Sequence, residues 1–345
     1  VKPLLEVSAL EVEFDTPDGV VKAVNGLNFS LDEGESLAIV GESGAGKSQL
    51  VLAIMGLLAE NGRARGQAIF RGADLMQMKP QDLNSVRGKH IAMIFQDPMT
   101  SLNPYLTIEQ QMTEVVIHHQ GLRKDEARAK AVEMLRAVRI PDAEERIRQY
   151  PHEYSGGMRQ RVMIAMGLLC QPDLLIADEP STALDVTVQA QITQLVAELS
   201  EKTAMSVILI THDLAVVAEV CERIIVMYAG EVVESGSAED IFYRPQHPYT
   251  RGLLESVPRL DRAEDRLHAI PGNPPNLQDL PTGCHFRDRC GEATERCRKP
   301  PPLWVAEGGR MSRCVLPMEG GRLAAGESVR AEEKSTTATA GEPQQ

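Results

Sequence analysis

The hydrophobic pattern of the first forty residues is typical of short strands. Residues 4–14, 21–31 and 36–40 are rich in Val, Leu and Ile, and the turn sequences TPDG and DEGE separate them. Apolar runs bounded by Gly, Pro and Asp indicate β-strands that are joined by tight turns. We therefore predict three strands before residue 41.

The apolar spacing becomes helical after the third strand. Residues 47–58 predict one helix, and the apolar run at 90–96 predicts the next strand. From 97 to 170 the pattern is helical again, most clearly at 107–119 and 124–138. We interpret residues 97–170 as a helical subdomain that is inserted between strands.

Strongly apolar strands return in the second half of the chain. Residues 173–178, 206–211 and 223–236 predict strands, and a helix is predicted between the first two at 186–202. Apolar strands that alternate with helices indicate an α/β fold, with a mostly parallel sheet covered on both faces.

The composition changes after about residue 243, where Pro, Arg and Cys accumulate. We interpret residues 256–318 as a second, smaller, loop-rich module that contains four cysteines. Residues 319–345 are small and polar, which predicts a disordered tail.

The overall composition narrows the class of protein. The 345 residues are 43% hydrophobic, which excludes a fibrous or disordered chain. The formal net charge is −13 and no dense Lys/Arg block is present, so we expect no nucleic-acid partner. No apolar run approaches the roughly 18 residues of a membrane span, and the first residues lack a signal-peptide pattern, so we expect a cytosolic location.

A phosphate-binding loop follows the third strand. The sequence GESGAGKS at 41–48 fits G-x-x-x-x-G-K-[ST] between a strand and a helix, the context that this motif requires. Its glycines let backbone N–H groups surround a phosphate, its lysine reaches the β and γ oxygens, and its serine can bind Mg²⁺. The predicted ATP-binding residues of this segment are Gly41, Ser43, Gly44, Ala45, Gly46, Lys47, Ser48 and Gln49.

Polar residues follow the other predicted strands. Asp178 and Glu179 end an apolar strand, where the first can hold Mg²⁺ and the second can accept a proton from water. Gln96 and His212 also follow strands, and ligands bind at the carboxyl ends of parallel strands. Phe14, before a turn, can either stack on adenine or belong to the core.

A second anion cradle occurs far from the phosphate loop. Ser155, Gly156 and Gly157 precede an amphipathic run, and the N-terminus of a helix attracts anions through its free N–H groups and its dipole. A single nucleotide does not need two such cradles.

Four cysteines near the C-terminal end suggest a metal centre. Cys284, Cys290, Cys297 and Cys314 have the spacing C-x5-C-x6-C-x16-C, and thiols in the cytosol stay reduced. The spacing matches neither paired zinc ligands nor a ferredoxin run, so spacing alone does not name the metal.

The order of these motifs over residues 5–255 resembles that of the ATP-binding subunits of ABC transporters. The matching segments are Phe14, the phosphate loop, Gln96, SGGMRQ at 155–160, LLIADE at 174–179, STALD at 181–185 and His212. The resemblance implies a P-loop NTPase with a RecA-like, mostly parallel sheet, an antiparallel β subdomain and an inserted helical subdomain. Tyr154 and Met158 depart from the usual Leu-Ser-Gly-Gly-Gln wording.

The resemblance also implies roles for the matching residues. Glu179 and His212 would be catalytic, and Mg²⁺ would be bound through Ser48, Gln96 and Asp178. A set of signature residues would contact the nucleotide of a second, homologous cassette, so that two cassettes enclose two ATP molecules. That set is Ser155, Gly156, Gly157, Gln160 and Asp185.

The segments RPQHPYT, IPGNPPNL and LPTGC resemble the C-terminal extension of oligopeptide and dipeptide permease ATPases, closest to the D-subunit group of the oligopeptide permeases. The resemblance implies a [4Fe–4S] cluster on the four cysteines, with Zn²⁺ or free thiols as alternatives. It further implies an ATPase that energises peptide import on the cytosolic face of the inner membrane. Its partners would be a distinct second cassette, two transmembrane permease subunits and, indirectly, an external peptide-binding protein.

Three other functions are consistent with parts of the pattern. A nickel or other small-solute importer carries the same extension, and some ABC ATPases act on DNA or the ribosome, although these usually carry fused cassettes, coiled coils or basic patches. A P-loop kinase or GTPase would leave Ser155–Gly157 and His212 without roles.

Overall fold

The computed structural model describes residues 2–96, 101–180, 186–256, 269–317 and 320–323. Within these ranges the chain forms two β-sheets and ten α-helices. The strands are β1 Leu5–Thr16, β2 Gly19–Leu31, β3 Ser36–Val40, β4 Gly62–Phe70, β5 Ala73–Asp74, β6 Ile91–Ile94, β7 Leu174–Asp178, β8 Ser206–Thr211, β9 Arg223–Tyr228, β10 Glu231–Ser237, β11 Leu303–Val305, β12 Met311–Arg313 and β13 Arg322–Leu323. The helices are α1 Lys47–Ile54, α2 Pro80–Val86, α3 Ile108–Gln120, α4 Lys124–Ala137, α5 Ala143–Arg146, α6 Gly156–Leu168, α7 Val186–Thr203, α8 Leu214–Val220, α9 Ala238–Tyr243 and α10 Pro248–Glu255.

The smaller sheet is antiparallel and has the order β2-β1-β4-β5. Its first hairpin turns between Thr16 and Gly19, as the sequence predicts. Strand β4 is not predicted from the sequence. Arg63, Arg65 and Gln67 lie on this strand, and its first six positions alternate between half-buried and exposed, so it offers only a weak apolar signal.

The larger sheet has nine strands in the order β13-β11-β12-β10-β9-β3-β8-β7-β6. The strands from β9 to β6 are parallel, and every residue of β7 and β8 is buried. Such strands are covered on both faces, which explains their uninterrupted apolar sequences. The single predicted run at 223–236 is an antiparallel hairpin, β9 and β10, which turns at Ala229 and Gly230.

Two hydrophobic clusters pack on opposite faces of the larger sheet. Ala38 and Val40 of β3 belong to one cluster, and Leu37 and Ile39 belong to the other. This alternation follows from the two-residue period of a strand. No helix in the described ranges is long and apolar enough to cross a bilayer.

Helices α3 to α6 lie between β6 and β7 in the chain. The predicted helices at 107–119 and 124–138 are α3 and α4, and each ends within one residue of its predicted position. Thr107 and Gln110 form a capping box at the start of α3, and Gly121 ends it at a φ of +66°. The boundary of the helical subdomain at 97 lies outside the described residues.

Two predicted elements are shorter in the structure. Helix α1 was predicted to reach residue 58 but ends at Ile54, because Gly56 takes a left-handed φ of +61°. The strand predicted at 90–96 covers only Ile91–Ile94.

The C-terminal segment joins the larger sheet, and its division at 256–318 into a separate loop-rich module stays a prediction. Its strands β11, β12 and β13 extend the larger sheet, since β12 pairs with β10 at Ser235 and Glu234. Each of these strands has at most three residues, too few for a periodic signal. The predicted tail lies outside the described residues, apart from 320–323.

Candidate functional site

The polar residues predicted to act on a nucleotide lie at one edge of the larger sheet. β3, β8, β7 and β6 are adjacent and parallel, so their carboxyl ends lie on the same side. The phosphate loop follows β3, Asp178 ends β7, and Gln96 and His212 follow β6 and β8. Ligands bind at this edge of an open α/β sheet.

The phosphate loop has a backbone that requires glycine. Gly46 caps α1 with a φ of +96°, and a Cβ at this position would lie 2.1 Å from the carbonyl oxygen of Ala23. Ser43 and Gly44 are exposed, whereas Ala45 is buried and Gln49 is half-buried on α1. No acidic residue occupies the first turn of α1, so its dipole is free to attract a phosphate.

Lys47 is a buried cation inside this loop. Its Nζ donates hydrogen bonds to the carbonyl oxygens of Gly41 at 2.8 Å and Glu42 at 3.0 Å, and it lies 4.0 Å from Oε1 of Glu179. Burial lowers the pKa of the Lys47 ammonium group, while the nearby carboxylates, led by Glu179, oppose that shift. Lys47 therefore brings a partly desolvated positive charge to the site.

Ser48 and Asp178 form a pair of oxygen ligands. The Ser48 hydroxyl donates to Oδ1 of Asp178 at 3.0 Å, and only 5% of Asp178 is exposed. Burial raises the pKa of Asp178, and the hydrogen bond from Ser48 partly offsets this rise. Hydroxyl and carboxylate oxygens are ligands that Mg²⁺ prefers.

Glu179 contacts two other predicted site residues, Gln96 and His212. Gln96 Nε2 donates to its Oε2 at 3.0 Å, and His212 Nδ1 lies 3.5 Å from its Oε1. Its backbone has a φ of +45°, which is unusual for a residue with a side chain and is typical of functional sites. Glu179, Gln96 and His212 therefore come together, as their positions after adjacent strands predict.

Phe14 is half-buried at the rim of one core cluster. Its ring packs closely against Gly62, whose added Cβ would lie 2.7 Å from it. This packing agrees with the core alternative, and the stacking role on adenine stays a prediction.

The signature segment begins helix α6. Ser155 caps this helix by accepting a hydrogen bond from Met158 N at 3.4 Å, and the first turn contains no acidic residue. Ser155 and Gly156 are exposed, so this helix N-terminus is open to an anion. Tyr154 is buried and donates its hydroxyl to the Arg146 carbonyl oxygen at 2.7 Å, which explains a tyrosine at this position.

Three signature residues remain, of which Gly157 is half-buried on α6. Gln160 is only 1% exposed, and its Nε2 has no hydrogen-bond partner among the described residues. Asp185, with the rest of the segment 181–185, lies outside the described residues. The predicted contacts of all three with a partner's nucleotide stay predictions.

The four cysteines line one cavity. Cys284, Cys290, Cys297 and Cys314 surround it together with His247. Cys297 and Cys314 are buried, and burial raises the pKa of Cys284 to about 12. The two remaining cysteines, at 170 and 221, are buried core residues, as predicted.

The structure does not confirm a metal at these cysteines. In the described part of the chain, no group of three or more His, Cys, Asp or Glu side chains is close enough to hold one metal ion. The predictions of a [4Fe–4S] cluster and of Zn²⁺ therefore lack direct support.

Contacts between the C-terminal segment and the phosphate loop were missed by the sequence analysis. Arg289 forms a bidentate ion pair with Glu42, and Tyr249 OH accepts a hydrogen bond from Glu42 N at 2.8 Å. Glu42 and Arg289 are 247 positions apart, so no local pattern relates them.

Comparisons with known proteins are consistent with a nucleotide site at this edge of the larger sheet. Family profiles described as ABC transporter and as oligopeptide/dipeptide transporter C-terminal region match residues 24–182 and 233–297. The chain is 57% identical to the oligopeptide transport ATP-binding protein OppD of Haemophilus influenzae over 92% of its own length and 98% of that protein. This chain belongs to the ATP-binding proteins of ABC transporters. It is therefore an ATP hydrolase of the cassette type.

Further relatives support this assignment. The chain is 56% identical to OppD of Salmonella typhimurium, covering 92% of this chain and 94% of that protein. It is 53% identical to the dipeptide transport ATP-binding protein DppD of Bacillus subtilis, covering 83% and 86%. Among solved structures it resembles the dimeric cassette MJ0796 in a post-hydrolysis state with ADP and Pi, with a TM-score of 0.62, 27% identity, and coverage of 68% of this chain and 98% of that one. The ABC cassette fold predicted from the motifs is thus confirmed.

Proposed function

We propose that this chain is the ATP-hydrolysing subunit of a peptide importer. One observation supports the nucleotide part: Lys47, the Ser48–Asp178 pair and the Gln96–Glu179–His212 group meet at one sheet edge. The transported solute is inferred from the relatives, which are named for oligopeptide and dipeptide transport. A nickel or other small-solute importer is the alternative, and a cassette that acts on nucleic acid is less favoured at a net charge of −13.

The roles of the site residues follow from their chemistry. Lys47 and the N–H groups of the loop would bind the phosphates, and Ser48, Asp178 and Gln96 would hold Mg²⁺, which would offset the phosphate charge. Glu179 accepts a proton from the attacking water, and His212, 3.5 Å away, helps to hold that arrangement. Gln96 contacts Glu179, so it can report the state of the site to the adjoining helical region.

Two cassettes would form the working unit. Ser155 and Gly156 form an exposed N-terminus on α6, which is available to the γ-phosphate of a partner's nucleotide. ATP would then favour the closed pair, because only that pair satisfies both sets of contacts. We propose a distinct but homologous partner cassette, two transmembrane permease subunits, an external peptide-binding protein and a peripheral position on the cytoplasmic face of the inner membrane.

Replacing Glu179 by Gln tests the catalytic role. In the assembled transporter we expect hydrolysis to fall roughly a hundred- to ten-thousandfold while ATP still binds, because the amide cannot accept the proton. Steady-state phosphate release and equilibrium ATP binding measure the two effects. Unchanged hydrolysis would refute this role.

We also propose that the cysteine cavity holds a [4Fe–4S] cluster. His247 supports this, since its Nδ1 accepts a hydrogen bond from Tyr249 N at 3.1 Å, which leaves the proton on Nε2. That Nε2 is buried and has no partner within the described ranges, so the cavity offers a free donor beside four sulfur atoms. The four cysteines around this cavity could supply the four thiolates of such a cluster, which would be a redox-active centre.

Metal analysis of the intact protein tests this proposal. We expect about four irons per chain and brown absorbance after anaerobic purification, both lost in Cys290→Ser but kept in the control Cys170→Ser. One zinc per chain, or no metal at all, would overturn it.

A further inference from the structure

The phosphate loop contains a carboxylate of its own. Glu42 is the second residue of GESGAGKS, and its backbone oxygen accepts a hydrogen bond from Lys47 at 3.0 Å. An unpaired carboxylate at this position would repel the triphosphate of ATP, which carries several negative charges. The loop therefore needs a group that neutralises Glu42 or turns it away.

Arg289 meets this need. Its Nη1 and Nη2 donate to the two carboxylate oxygens of Glu42 at 2.5 and 3.0 Å. Bidentate arginine–carboxylate pairs are strong and fix direction as well as charge. Side-chain exposure is 6% for Arg289 and 28% for Glu42, so solvent screens this pair only weakly.

Arg289 is itself held in place. Its Nε donates to the Pro271 carbonyl oxygen at 2.9 Å, and Nη1 also reaches the hydroxyl of Tyr228 at 3.3 Å. The ring of Tyr228 packs edge-on against Tyr249 and Phe286, with centroids 4.6 and 5.2 Å away. These contacts therefore fix the orientation of the guanidinium group that pairs with Glu42.

The same C-terminal segment lies along the loop at other points. Pro274, Pro275 and Leu277 line a cavity together with Ser43 and other loop residues. The Leu277 carbonyl oxygen accepts a hydrogen bond from Lys22 N at 3.1 Å. The segment thus contacts both the phosphate loop and the N-terminal hairpin.

We infer that Arg289 is a positioning residue for ATP binding, which holds the Glu42 carboxylate away from the phosphates and keeps the loop in its binding conformation. The inference rests on the proposed function only in that ATP is the ligand. Arg289 acts through Glu42 and takes no part in the chemical step.

The test uses the assembled transporter and compares KM for ATP with kcat. We expect Arg289→Gln to raise KM about tenfold with kcat changed less than threefold, because an uncovered carboxylate weakens ground-state binding. The rise in KM should shrink at high salt, since the repulsion is electrostatic. Arg289→Lys keeps the charge and should raise KM less than Arg289→Gln does.

Removing the carboxylate distinguishes positioning from simple stability. The double variant Glu42→Gln/Arg289→Gln should return KM to within about threefold of the parent, because the repulsive charge is gone. The control Arg298→Gln removes an exposed pair with Glu295 in the same segment and should leave KM unchanged. A KM for Arg289→Gln within twofold of the parent, or no rescue in the double variant, would overturn the inference. Either result leaves the Glu179 test of the proposed function intact.

Discussion

Gly46 shows how strictly one residue of the phosphate loop is determined. Its φ is +96°, and an added Cβ would come within 2.1 Å of a backbone oxygen of β2. A side chain there must displace the loop from the hairpin, and the loop must then lose its phosphate-binding geometry.

Gly46→Ala should therefore weaken ATP binding at least tenfold. Equilibrium binding of a fluorescent ATP analogue measures this, and thermal unfolding reports any loss of stability. Gly291→Ala is the matched control, since its Cβ meets no atom within 4 Å and its φ is not positive. Equal affinity in the two variants would contradict the argument.

At the residue scale, the sequence predicts what adjacent strands bring together. Asp178, Glu179, Gln96 and His212 each follow an apolar strand, so their meeting at one edge could be expected. The contact between Arg289 and Glu42 could not be predicted, because the sequence around Arg289 does not indicate a distant partner. Tertiary packing alone creates that pair.

At the scale of elements, helix α6 combines a stabilising cap with an exposed anion site. Ser155 accepts a hydrogen bond from Met158 N, and Gly157 packs against Val188 of α7 so closely that an added Cβ would lie 2.9 Å from it. The second glycine is thus needed for packing as well as for an open N-terminus.

Ser155→Ala tests whether this helix N-terminus serves a nucleotide. Loss of the cap should cost about 1 kcal/mol of stability, and ATP hydrolysis by the assembled pair should fall at least tenfold. Ser237→Ala is the control, because Ser237 caps α9 in the same way, through Asp240 N at 3.1 Å. The control should lose similar stability and keep its hydrolysis rate, and equal rates in the two variants would refute the proposed role.

Elements with a clear apolar pattern were predicted within one or two residues, as the uninterrupted apolar strands β7 and β8 and the periodic helix α4 illustrate. Elements stabilised mainly by their neighbours were missed. The first six residues of β4 include no buried position, and β12 pairs with β10 at only two residues. These strands form because a neighbouring strand pairs with them, and the local sequence pattern does not reveal that neighbour.

At the scale of the whole molecule, two of the contacts that join the C-terminal segment to the cassette involve the phosphate loop and the larger sheet. One is the ion pair between Arg289 and Glu42, and the other is the pairing of β12 with β10. Two of the four cysteines that line the cavity, Cys290 and Cys297, lie between these attachments in the sequence, and Cys290 directly follows Arg289. Cys290 is therefore the direct neighbour in the chain of a residue that contacts the phosphate loop through Glu42.

The pairing of β12 with β10 also covers a sheet edge. Without β12, the N–H and C=O groups of β10 around Glu234 and Ser235 would form an open sheet edge. Open edges recruit strands from other chains and lead to aggregation. A chain that stopped before residue 311 would keep every nucleotide motif and lack this cover, so we expect it to aggregate more readily than the full chain.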